Sequence, residues 1–136
     1  MRVFLDASAL VPLVHQRDQW HPAVVRQLRA LTAAGPVEFC TANWTFYEAL
    51  AVVKRAGHHR CLELAGFVAR SVAVLPVEPD VENEAFERFL QWHDKTASVV
   101  DHANLLTAIA HRCGAILTYD SDFEAIARGT QMRLLR

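Results

Sequence analysis

The segment Ser98-Val99-Val100-Asp101-His102-Ala103-Asn104-Leu105-Leu106-Thr107-Ala108-Ile109-Ala110-His111-Arg112-Cys113-Gly114-Ala115-Ile116-Leu117-Thr118-Tyr119-Asp120-Ser121-Asp122-Phe123 decides the fold class. Its first half repeats apolar residues at helical spacing from Ser98 to Arg112 and stops at Gly114, the residue type that most often closes a helix. The run Ala115 to Tyr119 is short and almost wholly apolar, as a strand buried on both faces must be. Two acids, Asp120 and Asp122, follow at once, and a short helix is predicted from Asp122 to Arg128. A helix, a tight stop and a doubly buried strand make up half of a parallel β-α-β unit.

The pattern repeats along the chain. Val3-Phe4-Leu5 reads as a buried strand that ends on Asp6 and turns into the helical Ala7-Ser8-Ala9-Leu10-Val11. Residues 18 to 33 carry Val24, Val25, Leu28 and Leu31 at helical spacing and end at Gly35-Pro36. Val37 to Thr41 is a second strand, and from Asn43 the residues Phe46, Leu50, Val53 and Gly57 fall on one helical line. Gly57-His58-His59 interrupts that line, and a further helix runs to about Arg70. Val72 to Val77 is a third strand; Asp80 is placed as the cap of a helix whose Val81, Ala85, Phe89 and Trp92 face inward. Met132 to Leu135 reads as an edge strand. The expectation is a single domain over residues 1–136, a three-layer α/β/α fold around a four- or five-stranded parallel sheet.

At 136 residues, 52% apolar and 21% charged, the chain is long enough to bury a core without disulfides or a structural metal. Cys40, Cys61 and Cys113 are widely spaced and form no metal knuckle, which fits a reducing cytoplasm. No stretch has the length and apolarity of a membrane span, so no membrane partner is expected. Fourteen basic residues against fifteen acidic, a net of -1, exclude a basic coat for nucleic acid.

In a parallel sheet the ligand site lies beyond the carboxyl ends of the strands. Asp6, Asp120 and Asp122 directly follow strands, and Glu48 stands in the first turns of the helix after the second strand. Asp101 opens a helix that must run back antiparallel to the strands, so its start lies at the same edge. Each acid also has a structural explanation. Thr45-x-x-Glu48, Ser98-x-x-Asp101 and Ser121-x-x-Glu124 have the form of capping boxes, and Asp6 and Asp120 suit N-caps. Taken together they need more: two carboxylates about 4 Å apart repel by about 4 kcal/mol at an effective dielectric of about 20. An all-oxygen set without Cys or His suits Mg²⁺ or Mn²⁺, and such a site can hydrolyse a phosphodiester by in-line attack of metal-activated water.

The ordered elements Leu5-Asp6-Ala7-Ser8-Ala9-Leu10, Thr45 to Glu48, Ser98-Val99-Val100-Asp101 and Ile116-Leu117-Thr118-Tyr119-Asp120-Ser121-Asp122-Phe123 resemble those of the PIN-domain ribonucleases, and most of all VapC-type toxins of bacterial toxin-antitoxin pairs. Ala7 departs from the hydroxyl residue that many relatives carry. The resemblance implies Asp6, Glu48, Asp101 and Asp120 as catalytic metal-binding acids, Asp122 as a fifth ligand, and Ser8 as a hydroxyl beside the metal water. It further implies a Mg²⁺- or Mn²⁺-dependent endoribonuclease, RNA as substrate, a cognate antitoxin and a homodimer.

Arg55, seven residues beyond Glu48 in the basic stretch Lys54 to Arg60, is a candidate for holding RNA phosphates, against an ordinary solvated helix end. His102 falls among Leu105, Leu106 and Ile109 and reads as a packed, hydrogen-bonded core residue. Trp20, Trp44 and Trp92 read as core or dimer anchors. Two other classes compete. A phosphohydrolase of the haloacid dehalogenase kind would need Asp-x-Asp where Ser8 stands, and a catalytic lysine, for which Lys54 and Lys95 are the only candidates. A silent binding module would lose acids from the set, and none is missing.

Overall fold

The computed structural model describes residues 1–93 and 96–136. Five parallel strands, β1 (Arg2–Leu5), β2 (Glu38–Ala42), β3 (Val72–Leu75), β4 (Ala115–Leu117) and β5 (Arg133–Leu135), lie in the order β3-β2-β1-β4-β5. The helices are α1 (Ala7–Val14), α2 (His21–Ala34), α3 (Asn43–Val53), α4 (His58–Ser71), α5 (Pro79–Gln91), α6 (Val99–Ala110) and α7 (Asp122–Ile126), and a 3-10 turn spans Lys54–Ala56. The three-layer parallel architecture expected from the alternation of short apolar runs and amphipathic helices is present, with five strands. β1 is central, pairing Val3 with Phe39 on one side and Ala115 on the other.

The alternation of β1 divides the core. Val3 and Leu5 point into a cluster with Leu10, Val24, Ala49, Leu64 and Val68 from α1, α2, α3 and α4. Phe4 points the opposite way, to Ile116, Leu105, Phe123 and Ile126 beneath α6 and α7. β1 and β4 are covered on both faces and carry no polar side chain among Val3 to Leu5 and Ala115 to Leu117. Helix α5 packs on α6 through Ala85, Ala103 and Leu106.

Three local expectations are corrected. Helix α6 ends at Ala110, and the left-handed residue after it is Arg112, at φ 57, not Gly114. Gly114 instead donates its N–H to the Arg2 carbonyl, a contact that anchors the start of β4 beside β1. Asp80 lies inside the first turn of α5, whose N-cap is Glu78 with Pro79 at the first helical position. Phe89 is 39% exposed, and Phe86 and Leu90 are more so, leaving an apolar patch on α5. Trp92, by contrast, turns inward, edge-on to His102 at 5.4 Å and beneath the Arg88 guanidinium.

His102 is fully buried, as its helical angle implies, but neither ring nitrogen has a hydrogen-bond partner among the described residues. Burial pushes its pKa down, with the nearby Arg88 charge adding to the effect. All three cysteines are free thiols, and Cys40 and Cys113 meet at 3.4 Å between sulfurs in the core. No helix among the described residues is long and apolar enough to cross a membrane.

Candidate functional site

Asp6 sits at the end of β1 and caps α1, and its side chain is 4% exposed. A carboxylate so buried must be surrounded by donors. Ser8 Oγ donates to Oδ2 at 2.7 Å and Thr118 Oγ1 donates to the same oxygen at 3.0 Å. Asn104 Nδ2 donates to Oδ1 at 3.2 Å. Burial still raises the Asp6 pKa, because removal of the charge from water outweighs the hydrogen bonds from Ser8 and Thr118.

The donors are themselves fixed. Ser8 Oγ accepts from the Tyr119 N–H at 2.9 Å, and Thr118 Oγ1 accepts from the Asp120 N–H at 3.1 Å, so the end of β4 is tied to the end of β1 through two hydroxyls. The Asn104 amide oxygen accepts from Thr45 Oγ1, which joins α6 to α3. Thr45 is therefore a cross-helix donor rather than the cap of a box with Glu48, and the N-cap position of α3 is Ala42.

Asp101 forms the capping box read from Ser98-x-x-Asp101: Asp101 Oδ2 accepts from the Ser98 N–H at 2.9 Å, and the Asp101 N–H donates to Ser98 Oγ at 3.1 Å. Structural and functional readings of this acid coexist, because the capping bonds leave Oδ1 uncommitted. Asp120 accepts from the Asp122 N–H at 2.9 Å, and Asp122 accepts from Thr96 Oγ1. Ser121 makes no cap to α7, and Glu124 pairs with Arg136 at 2.9 Å, so the third proposed capping box does not form.

These connections bring Asp101, Asp120 and Asp122 together: one carboxylate oxygen from each lies within 4.8 Å of the others, and all three residues are half-buried. Burial is the main reason that the Asp101 pKa rises to about 6; the Asp6 and Asp120 charges add to it and the Ser98 bonds oppose it. Glu48, exposed along much of its side chain, is also raised, first by partial desolvation and then by Asp6 and Asp120. Asp6 and Glu48 stand outside the triangle but act on the same electrostatic neighbourhood. Three close carboxylates, with no Cys or His in the group, offer the hard oxygen donors that Mg²⁺ and Mn²⁺ prefer.

The remaining candidates fall differently. Ser8 touches Asp6 and positions it. Arg55 is exposed on the 3-10 turn beyond the end of α3, so the regular helical spacing from Glu48 does not extend to it. Lys54 Nζ meets His58 Nδ1 at 3.0 Å at the same turn, and Lys95 lies outside the described residues. Thr45, Thr96, Asn104 and Thr118 are site residues that the sequence reading missed. Asn104 had a signal: it is a polar residue one turn after Asp101 in a mostly apolar stretch.

The sequence model of the PIN domain matches residues 3–129. No curated protein matches the chain by sequence. Among solved structures, Mycobacterium tuberculosis VapC20, described as a Sarcin-Ricin loop cleaving toxin, is similar with a TM-score of 0.79 and 24% identity, over 91% of this chain and 94% of that one. VapBC2 from Rickettsia felis, solved with a DNA fragment from its promoter, is similar with a TM-score of 0.73 and 12% identity, over 99% and 98%. VapBC-5 of Mycobacterium tuberculosis, from a toxin-antitoxin family, gives a TM-score of 0.64 and 22% identity, again over 99% and 98%. At these identities the likeness is one of fold, and the strand-end acids stand on that fold. With the family model covering nearly the whole chain, the protein belongs to the PIN domain family.

Proposed function

We propose that this chain, taken as one domain over residues 1–136, is a Mg²⁺- or Mn²⁺-dependent endoribonuclease, the toxin of a type II toxin-antitoxin pair. The observation that carries the reading is the triangle of Asp101, Asp120 and Asp122, electrostatically coupled to Asp6 and Glu48. These five acids would hold the cation, which when bound supplies positive charge to a phosphodiester and a water acidic enough to attack it. The chain's own part is positional. Ser8, Thr118 and Asn104 hold Asp6 in one orientation, the Ser98 cap holds Asp101, and the Asp120 turn places Asp122. Of the five, Glu48 is the most open to solvent and is the carboxylate suited to take a proton from an attacking water. RNA cleaved in this way carries a 5'-phosphate and a 3'-hydroxyl.

The partners follow from the same reading. VapBC-5, similar in fold, belongs to a toxin-antitoxin family, which supports a cognate antitoxin here. The exposed Phe86, Phe89 and Leu90 on α5 support a homodimer, and the absence of a membrane-spanning helix among the described residues is compatible with work in the cytoplasm. The test is incubation of the purified protein with RNA and Mg²⁺ or Mn²⁺. Cleavage should disappear on chelation and fall by a factor of about 100 or more in Asp101→Asn. Cleavage that survives both sinks the assignment.

A further inference from the structure

A cavity of about 500 Å³ is lined by His15, Gln16, Arg17, Ala56, His59 and Arg60. Topology places it on the acidic side of the sheet. Helix α4 runs 14 residues, about 21 Å, and leads directly into the start of β3, so it descends to the amino edge of the sheet from a point above the carboxyl edge. Helix α2 is equally long and returns the chain to the start of β2 in the same way. The turns that precede these helices, residues 15–20 and 54–57, therefore both stand above the rim that holds Asp6. The cavity lies between them, at the far end of the eight-residue α1 from Asp6, about 12 Å along that helix.

Its lining is cationic. Arg17 is exposed and makes no ion pair among the described residues, whereas Arg60 binds Glu63 at 3.0 Å at the solvent side of α4. His59 is folded over Gly57, where a Cβ would come within 2.7 Å of the imidazole, so the backbone of the turn sets the position of the ring. The guanidinium of Arg17 and that of Arg60, whose Nη1 is held by Glu63 and whose other nitrogens make no side-chain bond among the described residues, line the cavity with two imidazoles from separate elements. This donor set suits a phosphate group better than a carboxylate peptide, whose charges are single and less densely oxygenated.

We propose that this cavity binds a backbone phosphate of the RNA strand a few nucleotides from the bond that is cut, so that the substrate is held at two points, the acid rim and the tip of the helical walls. The inference rests on the ribonuclease reading and names a substrate contact for it. The experiment measures binding, not cleavage: fluorescence anisotropy of a labelled single-stranded RNA dodecamer with the full chain carrying Asp101→Asn, with and without Arg17→Gln and Arg60→Gln. Removal of both arginines should weaken binding about tenfold near physiological salt and reduce the slope of log K against log salt by about 0.7, the share of one phosphate contact. Arg17→Lys with Arg60→Lys should restore most of the slope. A trinucleotide too short to span both points should bind both forms alike.

Unchanged dodecamer affinity and slope, or an equal loss for the trinucleotide, overturns the subsite. Affinity for an acidic peptide that responds to the two arginines while RNA does not also overturns it. Failure of the ribonuclease reading shows separately, as absence of metal-dependent cleavage by the unmutated chain.

Discussion

The hydroxyl of Thr118 makes two bonds at once. Its proton goes to Asp6 Oδ2 and its lone pair receives the Asp120 N–H, so one side chain sets the spacing between the first acid and the last strand's acids. The residue is fully buried, and loss of the hydroxyl would leave a carboxylate short of one donor in a dry site. Thr118→Val, which keeps the shape, should cost about 1–3 kcal/mol in urea unfolding. It should also weaken metal binding by a factor of about 10–100, the usual scale for a residue that orients a ligand. Thr118→Ser should behave nearly as the unmutated protein, and a loss in Thr118→Ser that Thr118→Val does not share would assign the effect to packing of the methyl group instead. Asp6, Asp101, Asp120 and Asp122 were legible in the sequence because each stands where a strand ends or a helix begins. Thr118 was not, because a single hydroxyl inside the apolar run Ala115 to Tyr119 has the same local signature whether it faces solvent, core or carboxylate.

At the scale of elements, the strands were legible wherever burial on both faces makes them continuously apolar, and the helix ends were less so. The stop after α6 depends on Arg112 adopting φ 57, a conformation that its sequence neighbour Gly114 would accept more readily. The choice is made by β4, whose pairing of Ala115 with Val3 needs the Gly114 N–H on the Arg2 carbonyl. Gly35 at φ 147 and Gly57 at φ 123 are among the glycines that hold the chain where other residues are strained. They differ in their surroundings: a Cβ at Gly35 meets nothing within 4 Å, and one at Gly57 meets the His59 ring. Gly35→Ala and Gly57→Ala should therefore each lose about 1–3 kcal/mol from backbone strain. Only Gly57→Ala should also shift the His59 ring resonances in an NMR spectrum. A His59 signal that stays in place in Gly57→Ala would show that the ring does not rest on the glycine.

For the whole molecule, the net charge of -1 conceals two regions of opposite sign. With Asp6, Glu48, Asp101, Asp120 and Asp122 set aside, the ten remaining acids face fourteen bases, all but Lys54 and Lys95 of them arginine. The acids cluster at one rim, and the pKa values of Asp6, Glu48 and Asp101 are all raised there. The folded, metal-free protein thus binds protons more tightly than the unfolded chain. The stability carried by these protons is complete below the unfolded carboxylate range. For Asp101 it is lost as pH rises from its ordinary value of 3.8 through about 6. A divalent cation competes with those protons and stabilises the folded state most where the acids are ionised. The melting temperature of the chelated protein should consequently fall between about pH 4 and pH 7, and millimolar Mg²⁺ should raise it by several degrees at about pH 7 and little at about pH 4. In Asp101→Asn the chelated protein should melt higher than the unmutated one near neutral pH, and the response to Mg²⁺ should shrink. A Mg²⁺ effect of the same size at both pH values, or undiminished in Asp101→Asn, would place the cation elsewhere than on these carboxylates.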